Sequence, residues 1–258
     1  MPLLEEPRLR GVAPGSPRFF ELQREIIQER PLMRAVYDLW YDRLLEDERS
    51  VPGDPAAGML LELGSGGSFL RERCPRVVTS DVIADVAERV IDARKLPFED
   101  ASLRAIFVTH VFHHIPDVGC FLAEAQRTLV PGGVLAMIEV PHTPFARLFF
   151  DRFHPEPYDA GVSEWAFDQG DAMRDANQAL SWIVFCRDRE RFRQLCPALE
   201  LEHTGWLPWF SYVLSGGVTR RNLVPGPLVP LVRLADRIFS PLDRWMALHW
   251  HLRIRKRG

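Results

Sequence analysis

Glycine and acidic residues come together near position 64, where the chain reads Glu62-Leu63-Gly64-Ser65-Gly66. Glycine adopts positive φ without a Cβ penalty and lets backbone approach a ligand closely. A short apolar run precedes this turn and a helix-like stretch follows it, which places a ligand at a helix N-terminus beside a sheet. The segment therefore predicts a pocket for a nucleotide-type ligand.

The glycine spacing argues against a dinucleotide as that ligand. The dinucleotide fingerprint needs a glycine three positions after its second glycine. Counting from Gly64 and Gly66, this position is Phe69. A dehydrogenase is thus the less favoured reading.

Polar residues also follow three further apolar segments. Asp81 follows the second, Asp92-Ala93 the third and Thr109-His110 the fourth. The carboxyl ends of parallel strands share one edge of a sheet, and ligands bind there where strand order reverses. One acidic residue alone could simply cap the next helix. Four such endings together predict a single crevice.

Alternating strands and helices must position these residues, a pattern typical of βαβ units with right-handed crossovers. The sequence predicts a doubly wound α/β fold whose mostly parallel sheet ends in an antiparallel hairpin. The predicted strands are residues 59–63, 76–80, 90–92, 105–109, 134–140, 199–207 and 246–254, and the predicted helices are 19–29, 32–46, 68–73, 84–89, 120–129, 187–195 and 224–242.

Composition narrows the class of protein. The 258 residues carry a formal net charge of -3, which gives no electrostatic case for nucleic acid binding. The four cysteines show no CxxC spacing, so we expect reduced thiols and no metal site. The N-terminus lacks the apolar centre of a signal peptide, and no run of about 18 apolar residues predicts a membrane span. We expect a cytoplasmic location.

Residues 58–140 resemble the type 11 group of class I S-adenosylmethionine-dependent methyltransferases. The resemblance rests on residues 61–66, on Asp81, and on the segments 92–98, 113–115 and 129–135, which have the order and spacing of the family. The N-terminal arm and everything after Val140 lie outside it.

The resemblance implies a seven-stranded Rossmann-like methyltransferase fold and S-adenosylmethionine as cofactor, with S-adenosylhomocysteine as product. It places the glycine turn against the methionine portion, Asp81 at both ribose hydroxyls and Asp92 at the adenine amino group. A carboxylate suits paired hydroxyl donors. The family often has glycine where this chain has Ser68. The cofactor-binding residues implied are Glu62, Gly64, Ser65, Gly66, Asp81, Val82, Asp92, Ala93, Thr109 and His110.

Histidines supply the candidate catalytic residues. Methyl transfer is an in-line displacement that depends on positioning, and a general base is needed only when the acceptor loses a proton. The candidates are His113, His114 and His154, with His110 also considered. The pair His113-His114 recurs in family members with different acceptors, so we expect at least one of the two to order the rim. A surface loop explains His154 equally well.

We divide the chain into four parts. These are an N-terminal helical arm (1–50), a cofactor-binding core (51–141), a lid or acceptor-side insertion (142–186) and a C-terminal part of the sheet with an inserted helical segment (187–258). The insertion is rich in aromatic and amide side chains. Those aromatics, such as Trp165 and Trp182, could line an acceptor pocket but are more often core.

The segment 224–242 has an apolar stripe with Arg233 and Arg237 opposite it. It could lie on a membrane surface, but we favour a helix packed on the sheet. The predicted function is methyl transfer from S-adenosylmethionine to a small molecule or biosynthetic intermediate. Oxygen of a sugar or lipid-linked glycan is the favoured acceptor. The alternative is a non-catalytic binding or interaction protein that keeps the methyltransferase fold.

Overall fold

The structure is a computed structural model that describes residues 5–168, 170 and 175–258. Residues 169 and 171–174 of the predicted lid lie outside the described residues. The described strands are β1 (Met59–Leu63), β2 (Val77–Asp81), β3 (Arg89–Val90), β4 (Leu103–Thr109), β5 (Leu129–Glu139), β6 (Leu199–Trp206) and β7 (Trp250–Lys256). The described helices are α1 (Pro17–Glu29), α2 (Pro31–Arg49), α3 (Leu70–Arg73), α4 (Val118–Thr128), α5 (Pro144–Phe153), α6 (Leu180–Trp182), α7 (Arg189–Leu195), α8 (Trp209–Ser215), α9 (Val229–Phe239) and α10 (Asp243–Met246).

Together the described strands form one sheet in the order β3-β2-β1-β4-β5-β7-β6. Strands β1 to β5 are parallel, and β7 runs antiparallel between β5 and β6. The predicted doubly wound sheet of seven mostly parallel strands is confirmed, and its last two strands pair antiparallel as predicted, although helices α8 to α10 connect them in place of a hairpin turn. Strand order reverses between β1 and β4, and open α/β sheets bind ligands at such a point, which here is beyond Leu63 and Thr109.

Both faces of the sheet are covered, which explains why β4 and β5 read as continuous apolar runs. One face packs on α4 and α7 through residues such as Phe121 and Phe192. The other packs on α2 through Trp40 and Leu44. The predicted helices 19–29 and 32–46 are present as α1 and α2, and the Ser16 side chain caps α1 by accepting from the Phe19 amide.

The predicted helix 84–89 is wrong, because the chain makes turns between β2 and β3. In these turns, side-chain oxygens accept hydrogen bonds from the backbone amides. Asp81 Oδ1 accepts from the Ile83 amide at 3.0 Å, and the Thr79 hydroxyl and the Glu88 carboxylate each accept from the other residue's amide. Such bonds compete with helix formation.

Near the C-terminus, two further predictions need correction. The strand predicted over 246–254 begins only at Trp250, because residues 243–246 form α10. The segment 224–242 is helical from Val229, as expected, but it does not pack on the sheet. Helix α9 packs on α8, and Val232 is the one buried residue of that helix. No helix of the described residues is both long enough and apolar enough to cross a bilayer.

Buried Arg104 fastens α2 and the following linker to β4. Its Nε donates to Glu48 Oε1 at 2.6 Å, and its guanidinium also donates to the Val51 carbonyl at 2.7 Å. Arg104 is 2% exposed and Glu48 is 7% exposed. The pair therefore lies where an unpartnered charge is costly.

We predict that Arg104→Met lowers the free energy of unfolding by about 3–5 kcal/mol, because it strands the Glu48 carboxylate. Urea unfolding measures this. Arg43→Met is the control, since its pair with Glu46 is exposed and should cost less than about 0.5 kcal/mol. Equal losses in the two variants would show that the buried pair has no special weight.

Candidate active site

The glycine turn after β1 packs closely against two segments, the loop after β4 and helix α1. Gly64 has φ +63° and Gly66 has φ +43°. A Cβ on Gly64 would lie 2.4 Å from Val111 Cγ2, and one on Gly67 would lie 2.8 Å from Gln23 Cβ. The turn thus touches the loop after β4 on one side and α1 on the other, and a side chain at position 64 has no room.

Asp81 joins the end of β2 to this turn. The Gly66 amide donates to its Oδ2 at 3.1 Å and the Ile83 amide to its Oδ1 at 3.0 Å. Burial raises the pKa of this carboxyl, although the backbone bonds oppose the rise. Each carboxylate oxygen can accept a further hydrogen bond. Asp81 therefore keeps acceptor capacity beside the glycine turn.

Glu62 lies beneath the same turn and is 1% exposed. The Ser68 hydroxyl donates to its Oε1 at 2.6 Å, whereas its Oε2 has no partner among the described residues. Burial raises the pKa of Glu62 to about 7. Arg24 of α1 reaches the Gly66 carbonyl at 3.5 Å, and its Nε is likewise unpartnered within the described chain. A buried acceptor and a nearby cation thus both have capacity for a ligand.

The loop after β3 reaches the same rim, since the Ile91 amide donates to the Asp81 carbonyl at 3.0 Å. The Asp92 carboxylate is 46% exposed and pairs with Arg94 at 2.7 Å. This pairing lowers the pKa of Asp92, and Arg94 would compete with a ligand for it. Ala93 is buried, and Val82 is 53% exposed.

At the end of β4 the backbone turns sharply. His110 has φ +56°, the left-handed region, which costs a non-glycine residue about 1–3 kcal/mol and is typical of functional sites. Its amide donates to the Ile138 carbonyl at 2.9 Å. Thr109 Oγ1 and His110 Nε2 are buried polar atoms without a partner in the described part of the chain.

Glu139, the last residue of β5, holds the next part of this loop. Its Oε1 accepts from the Val111 amide at 3.0 Å and the Phe112 amide at 2.8 Å. Its Oε2 lies 2.6 Å from His113 Nδ1. The carboxylate is fully buried, so these contacts fix the position and orientation of the His113 ring.

Glu156 draws the three predicted catalytic histidines together. One of its oxygens, Oε2, lies 3.5 Å from His113 Nε2, 3.6 Å from His114 Nε2 and 3.7 Å from His154 Nδ1. Gln178 of the insertion also donates to this oxygen. The segments after β4 and after α5 therefore meet at one carboxylate.

The three histidines differ in charge. Burial lowers the pKa of His113, but Glu139 and Glu156 outweigh it and raise the pKa to about 10. Burial lowers the pKa of His114 to about 4, and it also lowers that of His154. At neutral pH His113 is a cation and cannot take up a proton. Its fixed position fits the expectation that one of the pair orders the rim.

The donor atoms of His113, His114 and Glu156 lie within 4.8 Å of one another, close enough to share a cation. The protonated His113 already places positive charge between Glu139 and Glu156. The contacts of His113 with Glu139 and Glu156 thus balance charge within this cluster.

A second wall of the crevice is aromatic and uncharged. The His110 ring lies 4.7 Å from the His249 ring and 5.1 Å from Trp40, and Tyr212 lies 4.2 Å from His249. Burial lowers the pKa of His110 to about 4 and that of His249 further below its usual value. Both rings are neutral, and His249 Nδ1 has no partner among the described residues.

Sequence reasoning missed Glu139 and His249. Glu139 carries the same signal as Asp81, an acidic residue at the carboxyl end of a buried strand. His249 carries no local signal, because its contact with His110 arises only from the pairing of β7 with β5. Of the insertion aromatics, Trp165 is buried in the main core, and Trp182 stacks on His142 at 3.9 Å.

Comparison with known proteins identifies the core. Residues 61–137 match the methyltransferase domain family, so the predicted type 11 methyltransferase domain is confirmed. The 27-O-demethylrifamycin SV methyltransferase of Amycolatopsis mediterranei is 35% identical over 103 residues, which are 37% of this chain and 38% of that protein. The ubiquinone/menaquinone biosynthesis C-methyltransferase UbiE of Desulfotalea psychrophila is 31% identical over 100 residues, 31% of this chain and 41% of that protein.

This chain thus spans about two fifths of the length of these curated relatives. The geranyl diphosphate C-methyltransferase of Streptomyces coelicolor, a solved structure, aligns over 99% of this chain and 89% of its own, with a TM-score of 0.53 and 13% identity. At that identity the likeness shows a shared fold alone.

We predict that stability depends on pH through Glu62. The pKa of Glu62 in the folded protein, about 7, lies above its ordinary value of 4.5. The stability that protonated Glu62 contributes is therefore fully present below pH 4.5 and is lost as the pH rises through 7. The effect of Glu62→Gln on the free energy of unfolding, relative to wild type, should therefore be about 3 kcal/mol more stabilising at pH 8 than at pH 4.5. Denaturant unfolding at both pH values measures the difference.

Glu99→Gln is the matched control, because Glu99 is exposed and should change stability equally at both pH values. The same response in both variants would contradict the raised pKa of Glu62.

Proposed function

We propose that the chain is an S-adenosylmethionine-dependent methyltransferase acting on a small molecule or biosynthetic intermediate. The observation that carries this proposal is the convergence of residues 64–66, Asp81 and Glu62 at one rim of a methyltransferase domain. When bound, the cofactor supplies an electrophilic methyl group on a sulfonium.

Features of the chain itself fit this cofactor. The tight turn at Gly64 supports close backbone approach to its methionine portion, and the acceptor capacity of Asp81 supports a role at the ribose hydroxyls. The unpartnered Glu62 Oε2 suits a cationic group. For the adenine, the Ala93 backbone is the better candidate, because Arg94 already occupies the Asp92 carboxylate.

On the acceptor side, we propose an oxygen nucleophile, with a sugar or lipid-linked glycan as the favoured class. Support comes from the wall of imidazoles and carboxylates beyond Thr109, which can hydrogen-bond hydroxyl groups. His154 is the proposed general base, because it is neutral and partly exposed at 30%. The buried imidazolium of His113 orients Glu156 and provides positive charge.

We predict that Asp81→Ala weakens S-adenosylhomocysteine binding about 10²-fold, since two hydrogen bonds to a charged acceptor are lost. Gly64→Val should abolish binding through its clash with Val111. Isothermal titration measures both. Asp100→Ala is the control, because Asp100 is 79% exposed and precedes β4, at the other end of the sheet.

Thermal unfolding checks that each variant is folded, and Asp81→Asn replaces any variant that is not. Wild-type affinity in folded Asp81→Ala and Asp81→Asn would show that Asp81 does not bind the cofactor. Cofactor binding without transfer of labelled methyl groups into any cell extract would favour the non-catalytic alternative.

We predict that His154→Ala lowers the rate of methyl transfer about 10²- to 10⁴-fold while cofactor affinity is unchanged. Because the pKa of His154 lies below 6.5, the wild-type rate should fall as pH drops below 6.5, and the variant should lack this acid limb. The assay follows tritiated methyl groups from S-adenosylmethionine into a cell extract as acceptor pool.

His203→Ala serves as control, since His203 is an exposed histidine on β6. An acid limb that persists in His154→Ala would assign the proton transfer to another group.

A further inference from the structure

A continuous apolar stripe covers the outside of the segment 228–245. Leu231 and Ile238 are each 64% exposed, and Leu234 is 50% exposed. Their spacing of three and four residues places them on one side of α9. Leu228, Leu242 and Trp245, which are 48%, 41% and 43% exposed, continue the same spacing at both ends.

Packing on the inner side of α9 fixes this orientation. Val232 is buried, and Asp236 Oδ1 accepts from the Ser211 amide of α8 at 3.1 Å. Phe239 packs edge-on against Phe210 at 5.5 Å. The helix is therefore firmly docked on α8, and the apolar stripe lies on the side that no described residue covers.

Positive charge accompanies the stripe. Residues 228–245 contain three arginines and two aspartates, a formal charge of +1, although the whole chain carries a net charge of -3. Arg233 and Arg237 are exposed, and their positions in α9 place them on one flank of the stripe, while Arg244 is exposed in α10. The Arg244 guanidinium lies 3.6 Å from the centre of the Trp245 ring. Arginine beside tryptophan and leucine is the composition of helices that lie in a lipid headgroup region.

This surface adjoins the acceptor side of the crevice. Helix α8, which carries α9, also carries Tyr212, and Tyr212 contacts His249 at 4.2 Å. Helix α10 contacts α5, where Phe150 packs on His154 at 5.2 Å. Only one helix thus separates the stripe from each wall of the acceptor site.

We propose that the stripe of residues 228–245 docks on the surface of an anionic lipid bilayer, with α9 lying in the plane of the headgroups. The apolar side chains enter the acyl boundary, and the flanking arginines meet lipid phosphates. A second copy of the chain fits less well, because an antiparallel two-fold contact through this patch would place the arginine flanks of both copies side by side.

Sedimentation with vesicles tests the proposal. The wild-type chain should bind vesicles of phosphatidylglycerol and phosphatidylcholine, and added salt should weaken this binding. Leu231→Glu combined with Ile238→Glu should reduce binding at least about tenfold, because two carboxylates then face the acyl region. Arg233→Gln combined with Arg237→Gln should remove the preference over pure phosphatidylcholine vesicles.

The control is Leu195→Glu, since Leu195 is 54% exposed at the end of α7 and should leave binding unchanged. Circular dichroism checks that all variants are folded. Equal binding by the Leu231/Ile238 variant and the wild type would overturn the proposal. The proposal would also be overturned if light scattering showed a dimer for the wild type and a monomer for this variant, because the stripe would then be a protein interface. The assay contains no cofactor or acceptor, so its failure leaves the proposed methyl transfer untouched.

Discussion

The buried carboxylate of Glu139 is the interaction on which both halves of the candidate site depend. Through its two oxygens it holds the Val111 and Phe112 amides and the His113 ring. Val111 packs against Gly64 and leaves no space there for a side chain. Because Glu139 holds the Val111 amide, it also holds this contact with the glycine turn in place. His113 is the cation that meets Glu156, so the same carboxylate also positions the acceptor side. A buried carboxylate without these three donors would be strongly destabilising.

The charge of each histidine in the crevice depends on the balance between its burial and the carboxylates near it. Burial lowers the pKa of His110, His114 and His249, so these rings are neutral, whereas the contacts of His113 with Glu139 and Glu156 outweigh its burial and keep it protonated. The rings of His110 and His249 therefore present no positive charge at the end of β4, where a sulfonium would lie under the proposed function. A like charge there would oppose binding of the cofactor.

Some features of the fold and the candidate site could be predicted from the sequence, and others could not. The proximity of residues 64–66 and Asp81 was predictable because their signal is local, a glycine turn and an acidic residue at strand ends that a parallel sheet brings together. The helix predicted at 84–89 failed because the Asp81 and Thr79 side chains bind the backbone of the loop that follows. For 224–242, periodicity predicted the helix correctly, but periodicity cannot tell which element covers an apolar face. His249 needed the register of β7 against β5, which no local pattern encodes.

The parts of the chain outside the matched domain divide between the two sides of the crevice. Helix α1 closes on the glycine turn through Gln23 and places Arg24 near Glu62. The C-terminal helices approach the other side, where Tyr212 of α8 meets His249. The matched domain itself supplies Gly64, Asp81 and Glu62, so under the proposed function these outer segments form the surroundings of the acceptor. If both proposals hold, an acceptor held at a bilayer would lie one helix away from the crevice, because α8 contacts both α9 and His249.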